Sequence, residues 1–188
     1  MSQNLDVKKE NLKNKIWITR KCWINASERL LRFGKFIDFI NIYYSLFLIF
    51  LSLISISPYA ANSKILSYVS LAGSVGLTIS IVYATSLRCK QRSEEFKRNY
   101  IALQKLLCIL NYATGDISKI ENKYHALLSN VENHKNIDYL NVVRIGQDKN
   151  NPMTLGKWFS VLGFYTGDCI WKSMLLILPV AYIISILL

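Results

Sequence analysis

The chain has 188 residues, 52% of them apolar and 19% charged, with a formal net charge of +11 at pH 7. That length allows one domain or two small ones. The averages alone suit a soluble domain, and what excludes a purely soluble one is the distribution of the apolar residues. Residues 39–63 carry no Asp, Glu, Lys or Arg, and neither do residues 65–87. At about 1.5 Å per residue, each run can cross roughly 30 Å of hydrocarbon. The competing reading, a pair of buried core helices, needs more covering chain than the remaining polar segments supply.

The chain opens on a polar, basic stretch from Met1 to Lys35, far longer than the charged leader of a secretory signal. The first apolar run is therefore expected to stay as an anchor. Leu12, Ile16, Thr19, Trp23, Ala26, Leu30, Phe33 and Ile37 recur at alternating spacings of four and three. That pattern predicts a helix with an apolar seam and basic outer faces. The hairpin of spans follows over 37–87, with its turn at Ser57–Lys64. After it, Phe96, Tyr100, Leu103, Leu107, Leu110, Thr114 and Ile117 repeat the seam. The two seams are expected to pack side by side as an antiparallel helical stalk.

Charge placement sets the expected topology. Lys8, Lys9, Lys13, Lys15, Arg20, Lys21, Arg29, Arg32 and Lys35 precede the first span. Arg88, Lys90, Arg92, Lys97 and Arg98 follow the second, and the linker holds only Lys64. By the positive-inside rule both flanks of this multi-pass chain are expected to be cytoplasmic and the Ser57–Lys64 turn outside. Cys22, Cys89, Cys108 and Cys169 form no CxxC pair and are expected to be thiols. His125 and His134 lack nearby cysteines that would complete a zinc set, and no metal or cofactor is expected.

Beyond the second seam, Gly115-Asp116 suggests a break, and Ile120, Tyr124, Leu127 and Val131 give a short helix. Asn133–Pro152 is rich in Asn, Asp and Lys and reads as a loop, with a strand-like piece at Tyr139–Ile145. Residues 169–188 are apolar apart from Lys172, which can snorkel to the headgroups, and they contain Pro179. A third span is one reading. An interfacial helix, suggested by Trp158, Phe159, Phe164, Tyr165 and Trp171, is the other. The fold predicted is an all-α membrane protein. A transmembrane hairpin at 37–87 is extended by cytoplasmic amphipathic helices at 1–36 and 88–133. A polar loop at 134–157 and a C-terminal membrane-associated segment at 158–188 complete it.

Functional candidates lie in the spans. Ala72, Gly76, Ser80 and Ala84 form a small-residue ridge at four-residue spacing that permits close helix–helix approach. Ser67, Ser70, Ser74, Thr78 and Thr85 make a hydroxyl stripe on nearly the opposite face, and Asn41, Ser45, Ser52 and Ser55 make another on the first span. These stripes could line a polar path in an oligomer. Equally, each hydroxyl could bond its own helix's carbonyls. Asp38 stands at the mouth of the first span, with Lys35 and Arg88 as candidate ion-pair partners, and could be a gate or a structural pair. Asp168 and Lys172 are spaced to pair. No GxSxG, P-loop, HExxH or GxGxxG arrangement occurs, so an enzyme is not expected.

Lys15–Lys21, Asn25–Leu30, Tyr44-Ser45 in the first span, the Leu87-Arg88 exit and the helix with Phe96, Tyr100 and Leu103 carry a resemblance. Over roughly residues 8–112 the chain resembles the SMODS and SLOG-associating two-transmembrane effector (SLATT) domains, closest to their fifth subfamily. Trp23 departs from that pattern, standing where a basic residue is expected. The resemblance implies an effector of prokaryotic anti-phage conflict systems that oligomerises and permeabilises the inner membrane. It also implies a sensor or signal-generating partner encoded nearby. The alternative function is a non-conducting anchor whose basic helices recruit a partner protein, a nucleic acid or anionic lipid.

Overall fold

In the computed structural model, described over residues 2–56, 63–113, 117–146, 148 and 151–187, six helices follow one another. They are α1 (Ser2–Ile56), α2 (Ser63–Ser86), α3 (Cys89–Tyr112), α4 (Ser118–Ser129), α5 (Asn136–Arg144) and α6 (Leu155–Leu187). Of the turn expected at Ser57–Lys64, residues 57–62 fall outside the described residues, as does the expected break at Gly115-Asp116, while Ser63 and Lys64 already belong to α2. Two compact units result. Met1–Leu31 with Lys90–Tyr165 form a helical unit, and Arg32–Cys89 with Thr166–Leu188 form a membrane unit. α1 belongs to both and runs unbroken through residues 36 and 37.

The helical unit is built on the two seams. Leu12, Ile16, Trp23, Ala26 and Leu30 of α1 are buried in one cluster with Phe96, Leu103, Leu107 and Leu110 of α3. Each leucine, isoleucine or phenylalanine among them contributes on the order of 1.5–3 kcal/mol when removed from water. Trp23, the departure from the family pattern, is 2% exposed and its ring lies 6.4 Å from that of Phe96. Its position therefore calls for an apolar residue. Ile120 and Tyr124 of α4 close the cluster, and the Tyr124 hydroxyl meets the one polar seam position on α1, Thr19 Oγ1, at 2.9 Å. Ser27 and Ser93 are buried opposite one another. Ser27 Oγ donates to the Ser93 carbonyl (2.9 Å) and Ser93 Oγ to that of Ser27 (2.8 Å). Two small side chains that satisfy each other let the backbones of α1 and α3 approach without orphaning a buried donor.

The loop and strand-like piece expected over 134–157 are corrected: residues 136–144 are helix α5, and α6 already begins at Leu155. The Asp138 carboxylate accepts the Lys135 backbone N–H at 3.0 Å, which fixes the first turn of α5. Ile137 and Leu140 pack with Val161 of α6. Asp138 itself is 1% exposed and takes a bidentate pair of bonds from Arg29 Nε (2.9 Å) and Nη2 (2.8 Å). Asn25 Nδ2 donates to its carbonyl at 2.9 Å. Next to it, the Tyr139 hydroxyl donates to Asp148 Oδ2 at 2.8 Å, which together with burial raises its pKa. Burial first, then the Asp138 and Asp148 carboxylates, push the Cys22 thiol up to about 12, so it stays protonated and unreactive at neutral pH.

A planar guanidinium held along one edge by both oxygens of a buried carboxylate pins α5 to α1. Asp138→Ala should destabilise the helical unit by about 2–3 kcal/mol, below the full cost of an orphaned buried charge because Arg29 is partly solvated. Adding Arg29→Met should recover part of that loss. Chemical denaturation followed by circular dichroism measures both, and a loss under about 0.5 kcal/mol for the single variant would be that of an ordinary surface change.

Candidate functional site: a hydroxyl-lined groove in the membrane unit

α1, α2 and α6 each contain a stretch long and apolar enough to cross a membrane, and in each stretch only 6% is buried inside the protein. Large apolar side chains point outward instead, among them Ile42, Leu46, Phe50, Leu53, Leu71, Val75, Ile79 and Ile177. A water-soluble protein does not leave such continuous apolar surface open, whereas hydrocarbon covers it at no cost.

The hairpin contact between α1 and α2 is made on the Leu66–Gly73–Leu77 side of α2, where Leu66 is buried and Leu51 of α1 is 1% exposed. A Cβ at Gly73 would stand 2.6 Å from Leu48 Cδ2, so this glycine makes room for the Leu48 side chain of α1. The ridge expected to pack lies elsewhere. Ala72, Gly76 and Ser80 are exposed, Ala84 is half-buried, and a Cβ at Gly76 meets nothing within 4 Å. Within one chain the ridge is therefore an outward face.

The two hydroxyl stripes do converge. Ser45 and Ser52 of α1 and Ser70, Ser74 and Thr78 of α2 line one groove of about 410 Å³, together with Leu48, Ile49, Leu53 and Leu77. Asn41, Ser55, Ser67 and Thr85 are not among its lining residues. Most of the lining hydroxyls spend their proton inside the hairpin. Ser45 donates to the Asn41 carbonyl (2.7 Å), Ser74 to that of Leu71 (2.7 Å), Thr78 to that of Ser74 (2.9 Å) and Ser70 across to that of Leu48 (3.4 Å). Ser55 and Thr85, outside the groove, bond back to Ser52 and Ile81 in the same way. A hydroxyl carries one donor and two acceptor lone pairs, so what each leaves facing the groove is acceptor oxygen.

Asp38 is exposed and bonded within the protein. Arg88 takes a left-handed φ of +48° and turns the chain from α2 into α3, its N–H bonding the Thr85 carbonyl at 3.2 Å. Glycine normally fills such a helix-ending position, so Arg88 serves as a corner at some backbone cost. Asp168 and Lys172 form the expected ion pair, and Lys172 Nζ also lies 5.1 Å from the Phe36 ring centre.

One device escaped the sequence reading. Pro179, buried in α6, has no N–H to give the Leu175 carbonyl four residues before it. The Tyr44 hydroxyl donates to that carbonyl at 2.9 Å, and the Tyr43 hydroxyl donates to the neighbouring Leu176 carbonyl at 3.0 Å. In hydrocarbon a freed carbonyl has no water to turn to, so a tyrosine on the first span supplies the donor that Pro179 cannot. Phe47 with Tyr182, and Phe33 and Phe36 with Trp171, extend the same α1–α6 contact at ring separations of 5.4–6.3 Å.

The fold and this groove define an all-α membrane protein with three apolar helices and a polar seam inside its hairpin. The chain belongs to the family described as "SMODS and SLOG-associating 2TM effector domain family 5", which matches it over residues 5–186. The match thus runs through α6 as well as through the hairpin for which the family is described. No curated protein and no solved structure gives a match.

The tyrosine–proline arrangement makes a coupled prediction. Tyr44→Phe should cost about 1 kcal/mol of stability in micelles, the usual scale of a hydrogen bond between membrane helices. In a Pro179→Ala background, where α6 can bond its own carbonyl, the same change should cost markedly less. Equal costs in the two backgrounds, measured by a double-mutant cycle of unfolding, would show that the hydroxyl does not replace the missing backbone donor.

Proposed function

We propose that the protein is a membrane effector of a prokaryotic anti-phage conflict system that oligomerises and opens a cation path across the inner membrane when activated. The observation that carries this is the groove, where hydroxyls from two spans meet and present acceptor oxygens at membrane depth. Rings of such oxygens replace part of a cation's hydration shell and offer an anion no donors. A single hairpin encloses no channel, so several copies must contribute their grooves. The outward ridge of Ala72, Gly76, Ser80 and Ala84 suits that assembly, because small residues let helices of neighbouring copies approach closely. The charge asymmetry of the sequence supports a cytoplasmic N-terminus and helical unit. There a sensor or signal-generating partner would act, and a change in the packing of the α1–α3 seam would bias the open state. Depolarisation ends the infected cell before phage are released, which is abortive infection by permeability and needs no catalysis.

Expression in cells carrying a membrane-potential dye tests this. The wild-type chain, triggered through its genomic neighbour, should depolarise the membrane. Gly76→Leu should insert to the same level, since nothing within its own chain blocks the side chain, and should leave the potential intact. Depolarisation retained by Gly76→Leu would remove the ridge from assembly. A triggered wild-type chain that leaves the potential unchanged would refute conduction and favour an anchor that recruits a partner.

A further inference from the structure

α6 carries a third seam. Leu155, Phe159, Leu162, Thr166 and Cys169 recur at alternating spacings of four and three, as the residues of the α1 and α3 seams do, but all five are exposed. Leu155, Phe159 and Leu162 are 79%, 72% and 57% exposed. At about 3.6 residues per turn, Lys157 and Val161 lie nearly opposite this seam, and theirs is the side turned to its own chain. Val161 is buried against Ile137 and Leu140, and Lys157 donates to the Asn151 side chain and to the Pro152 carbonyl.

Lipid is too thin to cover this face. The 33 residues of α6 are about 50 Å long, against about 30 Å of hydrocarbon and a headgroup layer of about 5–7 Å on each side. The Asp168–Lys172 pair stands midway along the helix, so the surplus length lies on its N-terminal side, where Leu155, Phe159 and Leu162 are. A nucleic acid or an acidic protein finds no counter-charge there. No Asp, Glu, Lys or Arg occurs between Lys157 and Asp168, and both of these are bonded within their own chain. Despite its net charge of +11, the chain can meet a second copy of itself on this face without opposing like charges.

The residues beside the seam are self-complementary. With Leu155, Leu162 and Cys169 as d positions and Phe159 and Thr166 as a positions, Trp158 is a g residue. Gly163 is then the e residue that faces it across a parallel pair. A large, exposed ring thus meets a position where a Cβ has nothing within 4 Å. Leucine at d with a β-branched threonine at a suits two strands. Copies inserted in one bilayer share orientation and level, so each presents the face parallel to the other, and much of the entropy of association is already spent.

We propose that α6 pairs in parallel with α6 of a second copy along Leu155–Cys169, so that the protein is a dimer before any trigger. This goes beyond the assembly proposed above, because it needs neither the α2 ridge nor conduction. Cys169 is a built-in ruler. Cys22 and Cys89 are buried while Cys108 and Cys169 are exposed, so in Cys108→Ser protein Cys169 is the one exposed thiol. A disulfide needs Cα atoms within about 7 Å, which facing d residues satisfy. Oxidation with copper phenanthroline, in membranes of untriggered cells expressing the full chain, should convert most of it to a covalent dimer that Cys169→Ser removes. With Cys108 and Cys169 both replaced by serine, Phe159→Cys and Leu162→Cys should cross-link. Ser160→Cys and Gly167→Cys, exposed on another face, should cross-link several-fold less. Phe159→Glu and Gly163→Trp should each cut the Cys169 dimer several-fold at unchanged membrane insertion, and Gly76→Leu should leave it as it is. No covalent dimer, equal cross-linking at every exposed position, a dimer that survives both Phe159→Glu and Gly163→Trp, or one lost with Gly76→Leu would overturn the proposal.

Discussion

A helix in hydrocarbon has no water to satisfy its polar groups, and the membrane unit is organised around that constraint. Its serines and threonines give their protons to nearby backbone carbonyls. The carbonyl left open by Pro179 is closed by a tyrosine on another helix. Lys172, midway along α6, pairs with an acid one turn away and rests against aromatic rings. The same constraint shapes the groove: once most of the donors are consumed internally, acceptor oxygen is what remains to face it. Stability and the proposed conduction thus draw on one set of hydrogen bonds.

The helical unit is built the other way round, with its apolar side chains turned inward. Its apolar seam is buried, and the polar groups that enter the core come in matched pairs. Ser27 and Ser93 exchange hydrogen bonds, and Arg29 and Asp138 meet edge to edge. Lys9 Nζ donates to the Asn111 and Ala113 carbonyls at the end of α3, where the helix leaves acceptors unused. α1 takes part in both units, so a change in how it packs against α3 alters a helix that also forms the hairpin.

Much of this was legible in the sequence. The alternation of four and three marked Leu12, Ile16, Trp23, Ala26 and Leu30, and those residues are buried. The partner seam on α3 was equally clear, because apolar periodicity in a water-facing helix has one meaning. In the spans nearly every residue is apolar, so periodicity no longer says which face meets which neighbour. Gly73 and Gly76 are interchangeable on paper, and only the position of Leu48 makes Gly73 the contact. α5 was misread because Val142, Val143 and Ile145 favour strands, although Ile137, Leu140 and Val143 already stood at helical spacing. The pairing of Arg29 with Asp138 and of Tyr44 with the carbonyl freed by Pro179 spans more than a hundred residues of sequence. No local pattern encodes either.

The central claim is that the groove between α1 and α2 becomes a water-filled path. The most direct measurement is a cysteine scan in membranes of cells expressing the triggered protein, using a charged thiol reagent that cannot enter lipid. Cysteines at Ser45, Ser52, Ser70, Ser74 and Thr78 should react, those at Leu46, Phe50 and Leu71 should stay protected, and the pattern should vanish without the trigger. Groove positions as unreactive as the lipid-facing ones in the triggered state would contradict the account.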